Sequence, residues 1–153
     1  MSIIQKSQKA LEYDKVIAEM SKFAKTEQSK QLCLDLTPYV RKTDIERELN
    51  YTSDAKAIID FIDDIPVDKI LNFSNLREKN EYFIEEELID VAKSMRVFRL
   101  VRNFLKENLN SESQLINLVE LIYTNKELED KIFDTFDENL AVRQDANPEL
   151  KGL

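Results

Sequence analysis

Two groups of residues in this chain could do chemistry by type and spacing. The first is acidic: Glu12 and Asp14 stand two apart in "LEYDKV", and Glu85, Glu86 and Glu87 are adjacent in "IEEELID". A pair of carboxylates can pass a proton as general acid and base, and clustered carboxylates can hold a metal ion. The second is basic: Lys93, Arg96, Arg99, Arg102 and Lys106 recur at spacings of three and four. Such a row can dock an acidic partner or a nucleic-acid backbone.

Each group also has a plainer reading. Residues two apart point about 200° apart on a helix and share a face only on a strand. The apolar residues that follow, Val16, Ile17, Met20, Phe23 and Ala24, recur at helical spacing. Asp14 then reads as an N-cap, Glu12 has no assigned chemistry, and the apolar run is expected in the core. Acids at a helix start favour the positive end of its dipole, which accounts for Glu85 to Glu87 without a metal. From Val91 to Glu107 the charge is five positive minus one negative, +4; with −8 on the whole chain, the remaining residues carry −12. A solvated face neutralised by acidic neighbours is the plain reading of this row. At about 100° per residue, its five cations are expected opposite the side of Met95, Phe98, Val101 and Leu105.

Composition removes several chemistries. The chain has no His, the commonest general base and zinc ligand, so a histidine-assisted nucleophile and a helical di-metal carboxylate site cannot be written. Cys33 is the only cysteine, which rules out an intrachain disulfide, and Leu32 and Leu34 beside it suggest a buried thiol. The one glycine, Gly152, cannot build a Walker-type phosphate loop, which needs two before its lysine. Hence no catalytic, cofactor-binding or metal residue is assigned. A net charge of −8 argues against broad binding to nucleic acid or anionic membranes. No run approaches the apolar length of a signal peptide or a membrane span, so a cytoplasmic protein is expected.

A chain of 153 residues suits one domain, 1–153, and its helical patterning makes the fold class all-α, a helical bundle. After the opening helix a short one is predicted from Thr26 through Leu36, ending before Pro38. "TDIE" offers a capping box, Thr43 with Glu46, ahead of a stripe of Ile45, Leu49, Thr52, Ala55, Ile59 and Ile62 that should end near Pro66. The pattern is weak between Val67 and Phe83. It returns strongly from Glu85 to about Asn108, with Leu88, Val91, Ala92, Met95, Phe98, Val101 and Leu105 on one side. "SESQ" and "TNKE" read as two more boxes, Ser111 with Gln114 and Thr124 with Glu127. Phe136 and Val142 flank the polar "DEN" as in a short β-hairpin near 134–144, and "NPEL" reads as a new helix start at Asn147. A helix start so close to Leu153 suggests a fragment of a longer chain.

Taken in order, these motifs resemble the amino-terminal segment of bacterial MutS proteins of the second type, the branch without the mismatch-reading domain. "LEYDKV" looks like that family's Leu-Glu-(aromatic)-Asp-Lys-Ile, and "FAKTEQSK", "LDLTP" and "TSDA" follow as its Ala-x-Thr-x-x-Gly, Leu-x-Pro and Thr-x-Glu-Ala would. "FIEEELIDVAKSMRVFRLVRNFL" resembles its arginine-rich helix, and "FDENLAVRQDANPEL" its closing Ile-Asp-x-x-Gly-x-Val-x-Asp-x-Ala-Ser-x-x-Leu. Leu140 stands where the family's hairpin glycine is usual, and Asn147 replaces serine as the cap. The resemblance implies part of a helical core or lever region, joining a clamp that encircles DNA to a dimeric, ATP- and Mg-dependent ATPase further along the chain. It also implies, for a full-length homodimer, mismatch-repair kinship, branched-DNA binding, control of recombination, a carboxy-terminal endonuclease and rescue of collided ribosomes. None of those catalytic residues maps onto this chain. The alternative is an independent helical adaptor that docks an acidic protein through Lys93, Arg96, Arg99, Arg102 and Lys106; an acid-dependent enzyme comes last.

Overall fold

Helical periodicity becomes seven α-helices among the described residues, which in this computed structural model are 3–60, 65–67, 70–73, 82–137, 140–143 and 146. They are α1 (Ile3–Ala10), α2 (Tyr13–Ser21), α3 (Glu27–Leu34), α4 (Lys42–Ile59), α5 (Glu85–Asn108), α6 (Ile116–Glu120) and α7 (Lys126–Thr135). No strand occurs among the described residues, so the fold is all-α. The chain divides into two compact units, Met1–Ile45 and Glu46–Leu153.

In the first unit α2 packs on both α1 and α3. The expected cap at Asp14 is displaced: α2 begins at Tyr13, Asp14 lies within its first turn, and Glu12 holds the cap position at φ 52°, ψ 38°. That left-handed residue closes α1, since its N–H reaches the Lys9 carbonyl, and it opens α2, since its own carbonyl accepts from Lys15 and Val16. The Glu12 carboxylate pairs with Lys15 at 2.6 Å, a local contact with no role for Asp14. Thr26 caps α3 as its position suggests, its buried hydroxyl accepting from the Ser29 N–H at 3.1 Å. Of the apolar run expected in the core only Ile17 is buried; Phe23 is 85% exposed and Val16 and Met20 are exposed too. Cys33 is half-buried rather than buried, with Leu32 and Leu34 beside it exposed.

The other predicted boxes shift as well, because a Ser/Thr-x-x-Glu spacing reads only local partners. α4 starts at Lys42, which places Thr43 inside the helix, and Asp44 takes the first-turn role by bonding Arg41 at 2.7 Å. Its expected stripe is largely exposed at Leu49 and Ile59, and Ile58 is the residue buried. Ser111 caps nothing. Instead Asp54, on α4, accepts from the Ser113 hydroxyl at 2.7 Å and the Gln114 N–H at 2.9 Å, so a distant carboxylate organises the turn before α6. At α7 the cap moves one residue, from Thr124 to Asn125, whose side-chain oxygen accepts from Leu128 N–H at 3.0 Å.

The second unit is built around α5, whose bounds agree with the sequence pattern. Glu87 reaches back to the Ile84 N–H at 3.2 Å, so the acidic start of α5 serves its own first turn. Ala92, 0% exposed, lets α7 approach closely, and Ile132 and Phe136 close over it with Leu88, Ile89, Val91 and Phe133 around them. On another side of α5 the buried Ser94 hydroxyl accepts from the Leu71 N–H and donates to the Asp90 carbonyl, which holds part of the weakly patterned stretch against the helix. Phe73 meets Phe98 with ring centres 6.0 Å apart. The described residues 65–67, 70–72 and 82–84 carry no helix; α4 ends at Ile59, short of the end expected near Pro66, and the helix start expected at Asn147 lies outside the described residues.

The hairpin after α7 is present as a single antiparallel bridge between Phe136 and Val142. Asp137 organises it: its N–H donates to the Ala141 carbonyl, and its side chain accepts from the Ala141 N–H at 2.9 Å. Leu140 adopts φ 64°, the conformation that the glycine expected there would take without steric cost. A pair of substitutions isolates that backbone term, because both remove the leucine side chain. Leu140→Gly should be more stable than Leu140→Ala by about 1 kcal/mol, the reverse of their order in ordinary positions. Urea unfolding of the two variants measures the difference, and equal midpoints would remove the strain argument.

Candidate functional site

The basic row occupies the side of α5 that faces α6 and α7. Taking the direction of Ala92 as zero and about 100° per residue, Arg96, Arg99 and Lys106 fall within about 40° of it, while Lys93 lies about 100° to one side and Arg102 about 80° to the other. Arg96, Arg99 and Lys106 therefore share the Leu88–Ala92 side, which the sequence counted as apolar, and continue that seam beyond the point where Ile132 and Phe136 end. Ser94 and Val97, on the far side of the helix, are also buried, so α5 is packed around more than one face.

Two carboxylates meet four of the five cations. Glu129 of α7, 1% exposed at its side chain, accepts from Arg96 Nε at 3.0 Å and from both Nε and Nη2 of Arg99 at 2.9 Å. Glu120, the last residue of α6, accepts from Arg102 Nη2 at 3.0 Å through one oxygen and from Lys106 Nζ at 2.7 Å through the other. Lys93, at the start of the row, lies 3.7 Å from Asp90 on its own helix. Among the described residues, these five cations pair with three acids, Asp90, Glu120 and Glu129, two more positive than negative groups. Acidic neighbours do meet the row, but Arg96 and Arg99 do so against a buried carboxylate, so this part of it is not a solvated face.

The two acids differ in what surrounds them. Burying a carboxylate is costly unless its lone pairs are met by well-placed donors, and Glu129 meets three charge-assisted ones. The Arg99 hydrogen bonds, aided by Arg96 and opposed by desolvation, hold its carboxyl down to about 2, and the same contact raises Arg99. The Arg96 guanidinium also lies 4.1 Å from the centre of the Phe133 ring, so its charge is shared between an acid and an aromatic face of one helix. Glu120 is 53% exposed. Its carboxyl is lowered chiefly by the Lys106 hydrogen bond, in contact with solvent.

Sequence reasoning found all five cations and neither carboxylate. A signal for Glu129 existed: it precedes Ile132 by three and Phe133 by four, so it sits on the apolar face of α7 where a charge needs a partner. Glu120 offered no such pattern, because α6 is short and its acid is placed by tertiary packing. Among the described residues no group of three potential metal-binding side chains gathers, and no helix is long and apolar enough to cross a membrane.

No protein-family model matches the chain. It is similar along most of its length to curated proteins named Endonuclease MutS2. The protein of Pediococcus pentosaceus is 26% identical over 149 residues, 94% of this chain and 19% of that relative. That of Clostridium botulinum strain 657 is 26% identical over 137 residues, 86% of this chain and 17% of the relative. That of Aquifex aeolicus is 22% identical over 147 residues, 92% and 18%. The chain thus spans less than a fifth of the length of these relatives, and the resemblance to second-type MutS proteins read from its motifs extends over nearly all of it.

The charge clamp makes a signed prediction. A carboxylate whose folded value lies below its ordinary 4.5 stabilises the fold above that value, and the contribution is lost as pH falls from there through about 2. Glu129→Gln should cost about 1–3 kcal/mol at neutral pH, since two partly exposed arginines lose an ionised acceptor. It should also flatten the acid limb of stability. Chemical unfolding of both proteins at neutral and acidic pH checks this: a variant with the wild-type acid limb would show that Glu129 is not the linked group.

Proposed function

We propose that this chain is a non-catalytic helical module, part of the core or lever region, of a longer MutS-type DNA-binding ATPase. The observation that carries the reading is the pairing of near-complete coverage of this chain with less than a fifth of each relative, as one segment among several would give. The order of motifs from "LEYDKV" to "FDENLAV" favours the amino-terminal segment. The fold is compatible with a mechanical role: α5 has 24 residues, hence a length of about 36 Å, and is braced by acids from two later helices. A helix held in this way can pass a displacement from one end to the other, provided that the assembly has two discrete arrangements.

On this reading ATP and Mg act in a domain beyond these residues, because a single glycine leaves no phosphate loop to be built here. Dimerisation, clamp closure on branched DNA, suppression of recombination, endonuclease action and ribosome rescue then belong to the whole cytoplasmic protein. Its remaining clamp and ATPase domains are this module's first partners.

The purified 153-residue chain is expected to show neither ATP hydrolysis nor DNA cleavage. In the full-length protein, Glu129→Gln should leave basal ATP hydrolysis unchanged while weakening the effect of ATP on DNA affinity. Two results would overturn the proposal: turnover by the isolated chain that a substitution within it abolishes, or a reading frame that continues without a P-loop.

A further inference from the structure

We infer that the Arg102–Lys106 end of α5 is a contact for nucleic-acid phosphates, occupied internally by Glu120 while no nucleic acid is bound. The inference starts from the unequal burial of the two acids. Glu129, 1% exposed and engaged by three donors, is part of the packing and cannot leave. Glu120, 53% exposed, makes one bond to each of two cations, and an exposed pair of this kind contributes little to stability. An external anion can therefore take its place without unpacking α6.

The donors left over favour phosphate as that anion. Arg102 Nε is buried and has no acceptor, while Glu120 spends one oxygen on Arg102 Nη2 and the other on Lys106. A phosphate group carries more acceptor oxygens than a carboxylate and can bridge Arg102 Nη2 and Lys106 Nζ while accepting from further donors. The wider row also suits a repeating backbone. Lys93, Arg96 and Lys106 are all substantially exposed, and from first to last the row spans about 20 Å of helix with an excess of two positive charges. Regularly spaced phosphates can meet such a row at several points, which a single acidic side chain cannot. The −12 on the remaining residues opposes binding elsewhere on the chain and confines the contact to this face.

The test is fluorescence anisotropy of a short labelled DNA duplex with the 153-residue chain at low salt. Wild type should bind weakly, and Glu120→Gln, which removes the internal competitor, should bind about two- to fivefold more tightly. Adding Arg102→Gln and Lys106→Gln should abolish that gain and make the dependence of log affinity on log salt shallower by about 1 to 2. Circular dichroism verifies that each variant folds. If Glu120→Gln does not, an NMR titration of the wild-type chain reads the Arg102 Nε–H resonance, which must move as DNA is added. No binding by either protein, or a gain that survives loss of Arg102 and Lys106, overturns the inference. So does displacement of the duplex by polyglutamate as readily as by unlabelled DNA, which would assign the face to an acidic protein. Failure here leaves the helical-module reading standing, because that reading rests on coverage of the relatives and not on this face.

Discussion

The Glu129 carboxylate, buried between Arg96 and Arg99, is the contact on which the second unit turns. An ionised acid with almost no exposure is stable only where donors replace its water, and here the donors come from a helix thirty or more positions away in sequence. The pairing therefore sets both the register and the rotation of α7 on α5. Ile132 and Phe136 can close over Ala92 only if Glu129 meets the arginines beyond it, and the cation stacked on Phe133 ties the apolar and charged parts of the seam together. A one-residue slip would bury the acid against aliphatic carbon and leave two guanidinium groups without acceptors.

How much of this was legible follows the range of the interactions involved. The bounds of α5, the start of α3 at Thr26 and the Phe136–Val142 hairpin were readable because each depends on residues a few positions apart. Three predicted capping boxes moved, and the move before α6 shows why: Asp54, some sixty positions earlier, supplies the acceptor that the local spacing had assigned to Ser111. The basic row was legible as a row, whereas its orientation was not. An apolar moment averages over a helix, and α5 is packed around more than one face, so the average pointed away from the seam. The arginines lie on the seam because their partner is an acid that the apolar pattern does not count.

The hairpin illustrates a different limit. A glycine is expected where the chain must take a positive φ, yet here Leu140 takes the left-handed conformation, beside the double engagement of Asp137 with Ala141. Glu12 does the same between α1 and α2. In both places hydrogen bonds from neighbouring residues outweigh a local cost of about 1–2 kcal/mol.

Glu120 and Glu129 carry the same functional group, face the same helix and are each met by two cations, yet burial gives them opposite roles. Water cannot reach Glu129, so its partners are its only solvation and the contact behaves as part of the core. Water reaches Glu120 freely, so its ion pairs compete at all times with solvent and with any other anion near the surface. An acid–base row on a protein surface is thus not one object with one function. Along α5 it passes, within about three turns, from a component of the fold at Arg96 and Arg99 to an exchangeable contact at Arg102 and Lys106, and the exposure of the opposing carboxylate sets where that change occurs.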